Sequence, residues 1–283
     1  MKRKLEPDSP LPHLPGEIWV NISLFFNPID SLNILKTCKN IYSFYDQWKD
    51  LIKDSYLSSQ KLLLFKELKR KKLDFLIDLL NNEENSAIAG SFPLRFISNK
   101  LFHYGDIDIF LPWKESYKSE NVNNVIFFKY SEQFRKLVDD DFIIINNYND
   151  NDNGSRYYYP FLAHVKLIST FTGKKDYRPL IQFIFIDHDC FKDIKTYTNT
   201  YFDLSFCCSW FDGKKLDCDK ETFFNILNKK GTINFKEIDR RKNVLSEGNV
   251  DECAYHGQDI IERVKKYKKR GFIIDNEDVL PEK

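Results

Sequence analysis

The sequence has little glycine, proline or methionine: ten, ten and one residues in a chain of 283. No apolar run reaches the ~20 residues that a membrane-spanning helix needs, so no membrane protein is expected. An excess of one charge sign is missing too. Lys and Arg number 43 against 42 Asp and Glu, a net of +1, so no global field draws the chain to nucleic acid or to a lipid surface, and either would need a local patch. The charged start, Met1-Lys2-Arg3-Lys4-Leu5-Glu6-Pro7, has no apolar signal core. We therefore expect an intracellular protein, cytoplasmic or nuclear, with a solvated tail over residues 1–9. The six cysteines are scattered and give no disulfide framework. Cys190, Cys207, Cys208 and Cys218, with His188, lack paired metal-ligand spacing and are expected to be reduced, buried small side chains. No internal period appears in residues 62–283, which excludes repeat architectures.

What is present begins with a helical module over residues 10–56. Pro15 and Glu17 suit the start of a helix, and Ile18, Ile22, Phe25 and Phe26 form one apolar stripe. Asn27-Pro28 breaks it, Asp30 or Ser31 can cap the next helix, and Ile34, Cys38, Ile41 and Tyr45 make its stripe. Trp48 follows as a bulky anchor. Three short helices bury little surface alone, and such a module often keeps an apolar face for a partner.

Four blocks carry a resemblance: Leu14-Pro15-Gly16-Glu17-Ile18-Trp19, Pro28-Ile29-Asp30-Ser31-Leu32, Cys38-Lys39-Asn40-Ile41-Tyr42, and Trp48. Their order and spacing resemble the F-box motif. The resemblance implies a Skp1-like partner connected to a cullin scaffold, with Leu14, Pro15, Ile18, Ile22 and Trp48 at or near that contact.

Ser59 to Asn82 reads as helical, with Phe65, Leu68, Leu73, Leu76 and Leu79 or Leu80 on one stripe and Lys66 to Lys72 mostly off it. A short apolar strand follows, Ser86-Ala87-Ile88-Ala89, ending in Gly90-Ser91, and then a turn with a short helix over residues 92–98. Asp106-Ile107-Asp108-Ile109-Phe110 is a second strand, on which the two carboxylates share one face and the isoleucines the other. Two neighbouring acids repel, so folding gains nothing from them unless a cation sits between. A Gly-Ser turn nearby can bring backbone N–H groups and a hydroxyl to a phosphate.

Gly90-Ser91, a spacer and Asp106-Ile107-Asp108-Ile109 resemble the nucleotidyltransferase superfamily with the polymerase-β-like fold. The resemblance covers roughly residues 62–215. It implies Gly90 and Ser91 at a nucleotide, Asp106 and Asp108 as metal ligands and catalytic acids, Mg2+, a nucleoside triphosphate and a third acid on a later strand. Within the strand Leu180 to Ile186 the polar residue is Gln182; Asp187 lies just past it, and Asp203 sits in the next apolar segment. We prefer Asp203, because an acid within an apolar strand needs a reason. Lys166 and Arg178 are read as solvent-facing, and Asn146 to Arg156 as a hairpin tip. A helix over Thr222–Lys229 with Asp219 as cap, and another over Gln258–Arg270 ended by Gly271, complete the pattern. The basic run Arg263 to Arg270 is read as a solvated helix end.

The expected fold class is α+β: a three-helix module over 10–56, a mixed-sheet nucleotidyltransferase-like α/β domain over 57–247, and a C-terminal helix and tail over 248–283. The leading functional expectation is an F-box adaptor that recruits a ubiquitination target to an SCF-type ligase. The second is a magnesium-dependent nucleotidyltransferase localised by its F-box, and the third a scaffolding domain.

Overall fold

Asn27 opens the first described helix. Its side-chain oxygen accepts from the Asp30 N–H at 2.9 Å, and its amide donates back to the Asp30 carboxylate. With Pro28 at the first helical position, helix α1 runs Pro28–Thr37. The cap is therefore Asn27 rather than Asp30 or Ser31. Ser31 lies inside the first turn, buried, with its hydroxyl donating to the Asn27 carbonyl at 3.1 Å.

The computed structural model describes residues 26–37, 45–99, 102, 105–114, 142–149, 165–173, 179–189, 191–234 and 250–277. Leu14, Pro15, Ile18, Cys38 and Ile41 of the F-box-like blocks, and Ile22, lie outside these residues. The chain divides into two compact units, Met1–Tyr56 and Leu57–Lys283. Among the described residues no helix is long and apolar enough to cross a membrane.

Helix α2, Tyr45–Arg70, is 26 residues long and carries Trp48. It does not continue to Asn82 as the apolar stripe predicts. Lys72 turns into the left-handed region (φ 57°), and the Leu73 N–H reaches back to the Leu68 carbonyl at 2.8 Å. That is a Schellman stop, with Leu68 and Leu73 both fully buried as its apolar contact. Helix α3, Phe75–Asn82, then begins separately and buries Phe75, Leu76, Leu79 and Leu80.

The sheet of the larger unit has seven strands: β1 Ala87–Ala89, β2 Asp106–Trp113, β3 Phe142–Asn149, β4 Val165–Gly173, β5 Leu180–Asp187, β6 Ser209–Phe211 and β7 Leu216–Cys218, in the spatial order β3-β4-β5-β2-β1-β6-β7. It is mixed, because β2 and β5 run parallel while their outer neighbours are antiparallel. The parallel pair is central, and its side chains show it: Ile181 to Ile186 are all buried, as a strand covered on both faces requires. Asn146 to Asn149 belong to β3 rather than to a hairpin tip.

Helices α4 Ser91–Ile97 and α5 Ile194–Tyr201 pack on this sheet, and α6 Lys220–Leu227 packs on α4. Asp193 caps α5, accepting from the Thr196 N–H at 2.8 Å. Helix α7, Val250–Lys269, starts at Val250 rather than Gln258 and buries Ile260, Val264 and Tyr267. Strands β8 Lys230–Gly231 and β9 Ile273–Ile274 form a small parallel pair beside it.

Gly231 fixes one close approach in this region. A Cβ there would meet Phe206 Cδ1 at 2.1 Å, and the Phe206 ring already stands 4.7 Å from Tyr267 and 4.4 Å from Phe272 between centroids. Because the ring has no room to yield, Gly231→Ala is expected to destabilise the unit by about 2–3 kcal/mol. A urea midpoint equal to that of the native chain would refute this packing.

Candidate functional site

Both acids of β2 face one cavity because strand side chains alternate. Ile107 and Ile109 are fully buried on the other face, while Asp106 and Asp108 are half-buried on this one. The Gly90-Ser91 turn comes to them through the antiparallel pairing of β1 with β2, which places Ala89 opposite Asp108. Gly90 then takes a positive φ of 83°, open to few residues other than glycine, and its α-carbon lies close enough that a Cβ would sit 3.7 Å from Asp108 Oδ2. Ser91 begins α4, and its hydroxyl donates to Asp106 Oδ1 at 3.2 Å. The Gly90 N–H is engaged by the Ser209 carbonyl at 3.2 Å, so this amide is not free for a phosphate.

The cavity has a volume of about 210 Å³. Its acid wall is Gly90, Ser91, Asp106 and Asp108, its apolar wall includes Phe110, Ile184 and Phe202, and Gln182 lies between. Gln182 is there because β5 runs parallel to β2 in a register that sets Asp108 beside Gln182 and Phe110 beside Ile184. The next strand continues the polar row, with Gln182 Nε2 donating to Thr170 Oγ1 at 3.3 Å. Asp187 stands at the far end of that register, opposite Trp113, and is not a cavity residue.

Asp203 also lines the cavity, but not from a strand. It falls between the end of α5 and a short 3-10 turn, Ser205–Cys207. Its carboxylate, 3 % exposed, accepts a hydrogen bond from Arg263 Nη2 of α7 at 3.0 Å, and Arg263 Nε approaches the other oxygen at 2.9 Å as an ion-pair contact without a hydrogen bond. Arg263 and Lys266 form the basic wall of the cavity, with Tyr267 and Cys207 behind them. The Cys207 thiol donates to the Tyr267 hydroxyl at 3.3 Å, and burial pushes the thiol up to about 11. Cys207, Cys208 and Cys218 are buried thiols in no disulfide, and among the described residues no group of three or more His, Cys, Asp or Glu side chains is placed to hold a metal ion.

The electrostatics follow from this packing. Burial first, and the neighbouring charge of Asp106 second, hold the Asp108 carboxyl well above its ordinary range, against the opposing pull of Arg263 and Lys266. Its Oδ1 is shut off from solvent and accepts no hydrogen bond among the described residues. Burial, then the charge of Arg270, lower Lys266, which Asp106 partly offsets.

The structure thus gathers Gly90, Ser91, Asp106, Asp108 and Asp203 around one cavity. Gln182, Arg263 and Lys266 complete it; the sequence marks Gln182 only as the polar residue of its strand, and it does not single out Arg263 or Lys266. Arg263 and Lys266 had only a weak signal: in a run otherwise read as solvated, they flank the buried positions Val264 and Tyr267. Compared with known proteins, the chain matches no protein-family model and no curated sequence.

Proposed function

We propose that the protein is an F-box adaptor for an SCF-type, Skp1–cullin ubiquitin ligase, and that its larger unit is a nucleotidyltransferase-like domain that binds a nucleotide and recruits a target rather than transferring nucleotide. The four sequence blocks between Leu14 and Trp48 support the first half. The second half rests on one observation. Asp203 is committed to Arg263, and the strand position beside Asp108 holds Gln182, so the cavity offers two uncommitted carboxylates where the resemblance implies three.

Asp106 and Asp108 fit one divalent cation. They are hard oxygen donors on one strand face, and Asp108 has a buried oxygen without a hydrogen-bond partner. Mg2+, when bound, would neutralise the pair and contact phosphate oxygens. A clamp on both the attacking and the leaving oxygen takes a second cation, for which the neutral Gln182 is a poor ligand. Ser91 orients Asp106 through its hydroxyl, and Asp203 holds the Arg263 guanidinium at the cavity wall, where it can meet an anionic group.

Two measurements separate this reading from its rival, an active magnesium-dependent nucleotidyltransferase, which the gathering of Asp106, Asp108 and Asp203 at one cavity favours. Full-length protein is expected to capture a purified Skp1-like protein. Pro15→Ala/Trp48→Ala should weaken capture by about tenfold or more, as expected for buried contact anchors. Incubation with Mg2+ and labelled triphosphates should leave no label on RNA, protein or small-molecule acceptors. Folded protein that captures no Skp1-like partner defeats the adaptor half. Label transfer that is lost in Asp106→Ala/Asp108→Ala establishes the enzyme instead.

A further inference from the structure

A second concavity adjoins the acid cavity. It is an open groove of about 520 Å³, lined by Phe102, Glu262, Lys265, Lys266, Lys269 and Arg270. Lys266 belongs to both. Elsewhere in this unit the described cations are often tied to carboxylates: Lys268 to Glu277 at 2.7 Å, Lys195 to Asp219 at 3.0 Å, Lys215 to Asp217 at 2.6 Å and Lys114 to Glu83 at 2.7 Å. Among the described residues no carboxylate pairs with Lys265, Lys266 or Lys269, and all three are exposed on successive turns of α7. Four cations against one acid is a local excess in a chain whose net charge is only +1. Lys266 shows the resulting repulsion, being lowered by burial and then by Arg270.

The groove also carries a flat element. The Arg270 guanidinium lies over the Phe102 ring at 4.3 Å and over Tyr267 at 4.9 Å, which holds a planar cation on a fixed aromatic base. Cations that track a backbone, together with a guanidinium–aromatic platform for a base, are the two parts of a single-strand binding surface. An acidic peptide would use the cations but not the platform. A lipid surface would need apolar side chains at the exposed face of α7, but its apolar residues Ile260, Val264 and Tyr267 are buried.

We infer that this groove binds single-stranded nucleic acid, with Lys265, Lys266, Lys269 and Arg270 on the phosphodiester backbone and Phe102 with Arg270 as a stacking platform. Through Lys266, a strand lying there leads to the acid cavity. The inference requires neither the F-box reading nor nucleotide transfer, and binding is measured without any triphosphate.

The test is fluorescence anisotropy of the full-length chain with labelled oligo(U) and oligo(dT) of about 20 nucleotides, spanning more than one site size. Four phosphate contacts predict a slope of log affinity against log salt of about −3. Lys265→Gln/Lys269→Gln keeps the helix and the aliphatic stems, so circular dichroism should be unchanged. Affinity should fall about tenfold, and the slope should become shallower by about 1.4. Phe102→Leu should weaken binding about fivefold or more with the slope unaltered, the mark of a lost stack. Lys214→Gln, on an exposed turn outside the groove, should change affinity less than twofold. Binding of either sugar upholds the inference, and the comparison shows which sugar is preferred. It is overturned if neither oligonucleotide binds at about 50 mM salt, if Lys214→Gln loses as much as the groove variant, or if poly-glutamate displaces the probe as well as unlabelled oligo(U) does.

Discussion

Asp203→Ala is expected to destabilise the larger unit by about 2–3 kcal/mol, and Asp203→Ala/Arg263→Leu to recover most of that loss. Asp203 is 3 % exposed, and its carboxylate accepts from Arg263 Nη2 at 3.0 Å while Nε stands 2.9 Å from its second oxygen. Removing the acid takes away the guanidinium's nearest opposite charge and leaves it the weaker pull of Asp108 across the cavity. Breaking a fully buried pair in this way costs about 3–5 kcal/mol. The lower figure applies here because the Arg263 side chain is 36 % exposed, and water can solvate part of the freed charge. Leucine at 263 removes that charge and adds apolar contact against Tyr267, one turn on and buried on the same helix. Urea unfolding of the native chain, Asp203→Ala, Arg263→Leu and the double variant, read as midpoints at constant slope, measures the cycle. A double variant no more stable than Asp203→Ala would show that the ion pair is not what Asp203 contributes. The same series bears on the site, because an Asp203 that served as a metal ligand would show its loss in Mg2+ affinity rather than in folding.

Asp108→Asn should separate stability from binding in the opposite sense. The carboxyl is raised by burial and by Asp106, so the folded state holds its proton more tightly than the unfolded chain does. The sign follows directly. The stability from that proton is complete below the ordinary value of 3.8 and is lost as pH rises from there toward the raised value. At neutral pH Asp108 therefore works against folding, and asparagine, which carries no charge, should make the protein more stable by about 1–2 kcal/mol. The gain should shrink as pH falls toward 4. Isothermal titration with Mg2+ and a nucleoside triphosphate should show binding in the native chain and none in the variant. A chain that binds the complex equally well with asparagine at 108 would remove the acid pair from the proposed site.

Two helix ends show how legibility depends on residue type. Helix α7 stops at Gly271, in the left-handed region at φ 86°, with the Phe272 N–H returning to the Tyr267 carbonyl at 3.1 Å. Glycine announces that stop in the sequence. Helix α2 stops by the same hydrogen-bond pattern, but Lys72 takes the left-handed position, and nothing in Lys71-Lys72-Leu73 marks it. The single helix expected over Ser59 to Asn82 is thus two, because burying Leu68 and Leu73 against each other outweighs the strain at a lysine. The cap of α1 was misplaced for a smaller reason. Asn27, Asp30 and Ser31 all have capping side chains, and only the backbone geometry chooses among them.

By itself, the sequence placed Asp106 and Asp108 on one face of a strand and Gly90-Ser91 at the end of another. These features depend on the period of two and on short loops, which are local properties of the backbone. It also carried the mixed α+β class, through the alternation of apolar helix stripes with β-branched runs. The groups that face the acids were decided by tertiary structure. Gln182 stands beside Asp108 because of the parallel register of β2 and β5, and Arg263 reaches Asp203 because α7 packs where it does. Register and helix docking are set by the burial of whole surfaces, such as Ile181 to Ile186 or Ile260 with Val264, so the same lysines and arginines could have pointed to solvent without any change in local pattern. Long-range packing is the physical reason that a run read as a solvated basic helix supplies the positive wall of the candidate site.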